Sequence, residues 1–236
     1  MKPFLSAEWR YLIMANYAFD PACLKPFLPA GTELDVFNDT HYVSLVGFLF
    51  DNTCLKGIPI PFHTRFEEVN LRFYVRRKEN GVWKRGVVFI KEIVPKMAIS
   101  LVANHLYGEH YQTMPMKHEW LITDKSLKIN YSWQFRGQWQ SIGVTAQNVK
   151  QPIEMDSESA FITEHYWGYT QLSKTITSEY EVRHPTWNTF PIENFKIDCS
   201  FEQLYGTAFQ LLDDLKPISV LLADGSPIQV MGGQKF

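Results

Sequence analysis

The stretch richest in chemistry is Glu68-Val69-Asn70-Leu71-Arg72-Phe73-Tyr74-Val75. Strict alternation sends Val69, Leu71, Phe73 and Val75 to one face of a strand and Glu68, Asn70, Arg72 and Tyr74 to the other. One strand thus carries a carboxylate, an amide, a guanidinium and a phenol in register. Turned into a cavity, that face lets Arg72 bind a carboxylate and Glu68 move a proton. Turned outward, it is the water-washed side of an antiparallel sheet, the commoner use of such a pattern. Arg76 and Arg77, further along, read as solvent-facing. Two other clusters mix titratable groups with indoles: Thr163-Glu164-His165-Tyr166-Trp167 and Glu181-Val182-Arg183-His184-Pro185-Thr186-Trp187. Each suits an apolar pocket with a few placed polar groups. Each is also the pattern of a buried His or Tyr satisfied by backbone beside a core Trp.

Other chemistries lack their residues. The histidines at 41, 63, 105, 110, 118, 165 and 184 form no H-x-H, H-x-x-x-H or H-E-x-x-H, and no Asp/Glu triad stands beside them, so no metal is expected. There is no G-x-S-x-G elbow, no G-x-x-x-x-G-K and no G-x-G-x-x-G, which removes serine-hydrolase, nucleotide-hydrolase and dinucleotide readings; no cofactor is expected. Cys23, Cys54 and Cys199 lie far apart with no C-x-x-C pair, and read as small buried hydrophobes in a reducing compartment.

The elements that must position these residues are mostly strands. The chain has 236 residues, of which 45% are hydrophobic and 15% aromatic, ample material for a packed core. Lys and Arg number 23 against 25 Asp and Glu, with no basic block, so nucleic acid is not an expected partner. An acidic residue at Glu8 comes too early for a secretory apolar region, and no stretch is long enough for a membrane span; the expected location is the cytoplasm, with no membrane partner. With neither repeat nor linker, residues 1–236 are read as one domain. Segments rich in aromatic and β-branched residues run from Trp9 to Phe19, His41 to Phe50, Phe66 to Arg77, Val82 to Val94, Leu127 to Phe135, Trp139 to Ala146, Ser173 to Arg183, Ser219 to Leu222 and Ile228 to Met231. Asn80-Gly81 and Asp224-Gly225 each supply the positive φ of a tight hairpin. Helices are fewer: a short one opening at Asp20-Pro21, the main one over Lys96 to His105, one capped near Asp156-Ser157-Glu158 and running to His165, and one behind the capping box Ser200-Phe201-Glu202-Gln203, before Leu204 to Leu212. The fold class is α+β, mostly antiparallel β, a barrel or sandwich with a few peripheral helices.

The order of motifs resembles the uncharacterised YqjF-like family, a branch of the acetoacetate decarboxylase-like superfamily. The resemblance is carried by Trp9-Arg10-Tyr11-Leu12, Phe19-Asp20-Pro21, Leu28-Pro29-Ala30-Gly31-Thr32-Glu33-Leu34-Asp35, Tyr42-Val43-Ser44-Leu45-Val46-Gly47-Phe48, the strand at Glu68 to Val75, Gly86-Val87-Val88-Phe89, Leu106-Tyr107-Gly108, Ile162-Thr163-Glu164-His165-Tyr166 and Val182-Arg183-His184-Pro185 with Trp187. It spans essentially the whole chain. It implies a curved, barrel- or cone-like sheet enclosing a cavity, with the helix near 96 to 110 beside it. In the decarboxylase branch a lysine after that helix forms a Schiff base with a β-keto acid, helped by a second lysine that lowers its pKa. This chain departs there: Glu109-His110-Tyr111-Gln112 replaces the Pro-Lys-Lys pattern, so Tyr111 occupies the nucleophile's place, and a phenol cannot make an imine. Lys91, Lys96 and Lys117 are the nearest amines; of these Lys91, on a strand, could point into the cavity and act with a lowered pKa. The resemblance transfers Glu68, Arg72, Glu164, Tyr166 and His184 as pocket candidates and lifts Glu68 and Arg72 above the solvent-facing reading; Asn70 joins them from the polar face of the same strand and Tyr111 from its place at the nucleophile's position.

Three functions are compatible with these residues. The first is a module binding a small, partly apolar organic acid, with Arg72 on its carboxylate and Glu68 and His184 as polar contacts. The second is a lysine-independent lyase or isomerase on a keto or enol acid, with Glu68 or His184 as acid/base and Tyr111 polarising a carbonyl. The third is a structural or partner-binding protein whose cavity is filled by its own side chains. Acetoacetate decarboxylation itself is not expected, and a homo-oligomer is left open.

Overall fold

The computed structural model describes residues 2–236, except for the side chains of Leu106 and Tyr107, so that the aromatic of the Leu106-Tyr107-Gly108 motif lies outside the described residues. In chain order the principal strands are β1 (Leu5–Ala18), β2 (Tyr42–Leu55), β3 (Phe66–Glu79), β4 (Val82–Val94), β5 (Tyr111–Thr113), β6 (Met116–Ile122), β7 (Ser126–Phe135), β8 (Gln138–Gln147), β9 (Trp167–Gln171), β10 (Thr177–Arg183), β11 (Ile192–Asp198) and β12 (Ser219–Val230). The helices are α1 (Pro21–Leu24), α2 (Met97–Tyr107), α3 (Glu158–Thr163) and α4 (Phe201–Tyr205).

The larger sheet runs β12-β1-β2-β3-β4-β9-β10, and β10 pairs back onto β12. Its long joints are antiparallel, but two seams are thin. β4 meets β9 in parallel through Trp167 opposite Gly86 and Gly168 opposite Val87, while β10 meets β12 through Val182 opposite Val230 and Arg183 opposite Gln229. The result is a curved near-ring rather than a clean barrel. A second antiparallel sheet, β11-β8-β7-β6, packs on its outer side. Val69, Leu71, Phe73 and Val75 of β3 join the core between the two sheets, whereas Tyr74 joins the inner cluster with Met14, Phe48 and Phe50. The period of two in β3 therefore separates two buried surfaces, not core from water.

Local chemistry explains most of the elements. Asn80 and Gly81 both take positive φ, 50° and 83°, and join β3 to β4 as a tight hairpin. Asp20 caps α1 through its carboxylate to the Ala22 N–H, with Pro21 at the first helical position. Gly108 closes α2 in the left-handed region at φ 72°. A one-residue bulge in β1 opposite β2 puts Tyr11 at φ 49°, and the buried Tyr131 hydroxyl of the second sheet donates to the carbonyls of Arg10 and Tyr11 at 3.1 and 3.0 Å.

Several sequence expectations need correction. Asp224-Gly225 is no hairpin: β12 is continuous through it, so Ser219 to Leu222 and Ile228 to Met231 belong essentially to one strand. Gly225 sits at φ 77° where a Cβ would lie 2.0 Å from the Trp9 carbonyl oxygen, so the glycine serves close strand approach instead of a turn. Ser200 makes no capping bond; the Asp213 carboxylate reaches back to accept from the N–H groups of Phe201 and Glu202 at 2.6 and 3.1 Å. At α3 the cap is Ser157, bonded to the Ala160 N–H, and the helix ends at Thr163, before His165. The segment from Ser173 becomes strand only at Thr177, and β6 and β11 were not anticipated.

Candidate functional site

Inside the near-ring lies a cavity of roughly 230 Å³ whose wall takes residues from β1, β2, β3, β4, β5, β10 and β12 and from α2. Most of that wall is aromatic and aliphatic, including Trp9, Phe48, Phe50, Phe66 and Phe89. Its polar part is built in one row across three adjacent strands. Asn70 of β3 lies opposite Glu92 of β4, and Glu92 lies opposite Tyr111 of β5. Glu68 and Arg72 sit one pleat to either side of Asn70 on the same face of β3. A bulge in β4, which places Arg72 opposite Phe89 and leaves Ile90 unpaired, re-aims the far end of the row.

Glu68, Asn70, Glu92 and Glu109 are buried. Asn70 donates its Nδ2 to Glu68 Oε1 at 3.0 Å, and the Tyr111 hydroxyl donates to Glu68 Oε2 at 3.0 Å. Burial pushes the Glu68 carboxyl up to about 7 against those two bonds and the nearby Arg72 charge. Burial also raises Glu109 to about 7, although Thr170 and Tyr180 face it; Glu92, burdened in addition by Glu109 and Glu68, stands well above the usual carboxylate range. The Tyr111 phenol is raised by its own burial and by the same carboxyls. Three carboxyls in mutual reach cannot all ionise in an apolar wall, so they share protons near neutrality.

Arg72 points from this row towards α3, donating through Nη2 to the Ile162 carbonyl at 3.3 Å, while its Nε has no partner. Tyr111 is held by its backbone: Asn104 of α2 accepts from the Tyr111 N–H at 2.7 Å and donates to its carbonyl at 2.9 Å. The same helix closes the cavity with Ala98, Ile99, Val102 and Ala103.

Of the residues singled out from sequence, Glu68, Asn70, Arg72 and Tyr111 meet in this cavity. Glu164, Tyr166 and His184 do not line it. They form a second cluster, where Tyr166 donates to Glu164 and His184 stacks on Trp187 with ring centroids 4.3 Å apart. Trp9, 6.2 Å from the His184 ring, separates that cluster from the cavity. His184 borders instead a shallow surface pocket with Glu8 and Asn52, and burial lowers its pKa. His165 of the same motif is buried against Asp35, 3.2 Å from Nε2 to Oδ2. Lys91 faces away from the cavity, donating to the Leu204 carbonyl, and among the described residues no lysine lines the cavity wall. Sequence reasoning passed over Glu92, Glu109 and Asn104. Glu109 follows the helix-closing Gly108, and that neighbourhood was its one available signal.

A family model described as an uncharacterized conserved protein, DUF2071, matches residues 6–227. The chain belongs to the DUF2071 family. This DUF2071 protein is 26% identical over 183 residues to the uncharacterized protein YqjF of Bacillus subtilis (strain 168), covering 76% of this chain and 72% of that one. Its fold is that of acetoacetate decarboxylase-like proteins. The acetoacetate decarboxylase of Legionella pneumophila superposes with a TM-score of 0.65 at 13% identity, covering 99% of this chain and 87% of that one. The enduracididine biosynthesis enzyme MppR, solved with pyruvate, gives 0.67 at 14% identity over 100% and 91%. An acetoacetate decarboxylase-like enzyme of Sphingomonas wittichii RW1 gives 0.67 at 12% identity over 100% and 94%. At such identities the likeness is one of fold. Among the described residues no group of three His, Cys, Asp or Glu could hold a metal ion, and no helix is long and apolar enough to cross a membrane.

Proposed function

We propose that this DUF2071 protein binds a small, partly apolar organic acid in the near-ring cavity. The ligand's carboxylate pairs with Arg72, its body lies against Trp9, Phe48, Phe50 and Phe89, and its polar head meets the row of Glu68, Asn70 and Tyr111. The observation that carries this reading is Arg72 itself: a guanidinium in a mostly apolar cavity wall, with an unpartnered Nε and no carboxylate bonded to it. An apolar wall with a few converging polar groups is the usual build of a small-ligand site. The complex of MppR with pyruvate is a precedent on this fold for a small keto acid.

The Tyr111 to Glu68 hydrogen bond favours a second reading, acid–base chemistry on a keto or enol acid without a Schiff base. A carboxyl poised near neutrality can take and return a proton, and a phenol beside it can donate to a developing enolate oxygen. Glu68 would be the base and Tyr111 the polarising donor. Thermal-shift titration with pyruvate, acetoacetate and five-carbon acids tests the binding reading. A saturable shift that drops at least about tenfold in apparent affinity for Arg72→Leu, the worth of a charged hydrogen-bonded contact, supports it. No shift from any acid, or shifts indifferent to Arg72→Leu, refute it. Exchange of the α-protons of a bound keto acid with solvent deuterium, lost in Glu68→Gln, supports the second reading.

A further inference from the structure

The cavity's hydrogen-bond balance is lopsided. Both Glu68 oxygens are taken, one by Asn70 Nδ2 and one by the Tyr111 hydroxyl. Those bonds use the Tyr111 proton, and the Arg72 Nη2 is turned to a main-chain carbonyl. Left without a hydrogen bond are the acceptors Glu92 Oε2, both oxygens of Glu109 and Asn70 Oδ1, against two N–H donors, Trp9 Nε1 and Arg72 Nε; the Thr170 and Tyr180 side chains face Glu109. Asn70 is 1% exposed, and its amide belongs to the cavity wall beside Glu92. The unpartnered amide oxygen is evidence beyond the acidic cluster, because an amide oxygen only accepts and no donor among the described residues bonds it. Buried acceptors without donors cost free energy, and the group that satisfies several at once must carry several N–H or O–H bonds and, facing three carboxyls, positive charge. Among the described residues no three His, Cys, Asp or Glu are placed to hold a metal ion, which turns the choice to an organic cation. An ammonium, with its three donors, is such a group.

We propose that the organic acid held through Arg72 also carries a primary ammonium, seated among Asn70, Glu92 and Glu109. This inference rests on the reading of Arg72 as carboxylate partner and sharpens it to an amino acid with separated termini. Asn70 and Arg72 are two residues apart on one strand face, about 6.8 Å, a spacing that suits a chain of several carbons between amine and carboxylate. The cavity, roughly 230 Å³, leaves room for a short chain of this kind, such as 5-aminopentanoate.

The test uses four probes with the same five-carbon chain, pentanoate, pentylamine, 1-pentanol and 5-aminopentanoate, titrated against the intact protein by calorimetry and thermal shift. The expected result is that pentylamine binds at least about tenfold tighter than 1-pentanol, the gain from a charge-assisted contact, and that 5-aminopentanoate binds tightest. Glu109→Gln should weaken pentylamine by a similar factor while strengthening pentanoate, because it removes a negative charge. Pentylamine no better than 1-pentanol overturns the ammonium site. If pentanoate alone binds and is lost in Arg72→Leu, the acid-binding function stands and this inference falls. If pentylamine binds but no acid does, the ammonium seat survives in part, but the amino-acid assignment falls together with Arg72's role. Should Glu109→Gln fail to fold, Glu92→Gln replaces it, and the contrast between pentylamine and 1-pentanol on the unaltered protein decides by itself.

Discussion

Glu68 shows how one side chain's setting gives a measurable property. Its folded carboxyl titrates at about 7, against 4.5 in an ordinary setting, because burial outweighs the two hydrogen bonds it accepts. Between those values the folded chain keeps a proton that the unfolded chain has released, so the group's stabilising contribution, whole below about 4.5, is lost as pH rises to about 7. His165 works in the opposite direction. Burial holds it down to about 4, so over much of the same window the unfolded chain binds the extra proton and stability climbs with pH. The net curve of the unaltered protein therefore mixes signs, and a difference between proteins removes the histidine's share and leaves that of Glu68 with the carboxyls coupled to it. Glu68→Gln should gain in unfolding temperature over the unaltered chain as pH goes from about 5 to about 8, by a few degrees for each kcal/mol. Melting scans of both proteins check this; a difference independent of pH would mean that Glu68 is ionised in the folded state throughout.

At the scale of elements, α2 and β5 are fastened together by Asn104, whose amide makes both a donor and an acceptor bond to the Tyr111 backbone, and by Ser100, whose hydroxyl lies 2.8 Å from that of Thr113. This clamp sets the height at which the Tyr111 phenol enters the row of polar groups. Asn104→Ala should leave the global fold intact and loosen β5 locally. Loss of about 1 kcal/mol there corresponds to roughly fivefold faster exchange of the Tyr111 amide hydrogen. Hydrogen exchange read residue by residue checks it, and unchanged exchange at Tyr111 would show that the strand is held by its pairing with β4 alone. The same elements show what sequence could and could not reveal. The polar face of β3 was legible because period-two alternation runs unbroken from Glu68 to Val75. Glu92 was not, because the bulge at Ile90 interrupts the period just before it and Lys91 beside it suggests a solvent-facing pair. Nor were β6 and β11, marginal strands of the smaller sheet. In β11, Glu193, Asn194, Phe195 and Lys196 are all exposed, which erases the apolar alternation that marks a buried strand. At Gly225 the residue type was informative but its use ambiguous, since positive φ serves a hairpin and a close strand approach equally.

In the whole molecule, the cavity depends on the near-ring holding its curvature, and that curvature is backed from outside by the second sheet. The two sheets meet in close contact at Gly47 of β2. A Cβ there would lie 2.9 Å from Ile142 Cγ2 of β8 and 3.1 Å from the Tyr131 ring of β7, so glycine is what allows the contact. Tyr131 cannot easily yield, because its hydroxyl is fixed to the carbonyls exposed by the β1 bulge. Gly47→Ala should therefore cost about 1–3 kcal/mol by overpacking, and it should push the sheets apart and not merely crowd one side chain. Ile142→Ala alone should cost about 2–5 kcal/mol through the void it leaves. Combined, the two changes relieve each other, since the added methyl enters the space vacated by Ile142, and the double variant should lose less than the sum by about 0.5–3 kcal/mol. Denaturant unfolding of the four proteins measures that coupling. Strict additivity would mean that Gly47 and Ile142 do not share one packed contact, and the outer sheet's hold on the curvature would then run through Tyr131 and its bonds to the β1 carbonyls.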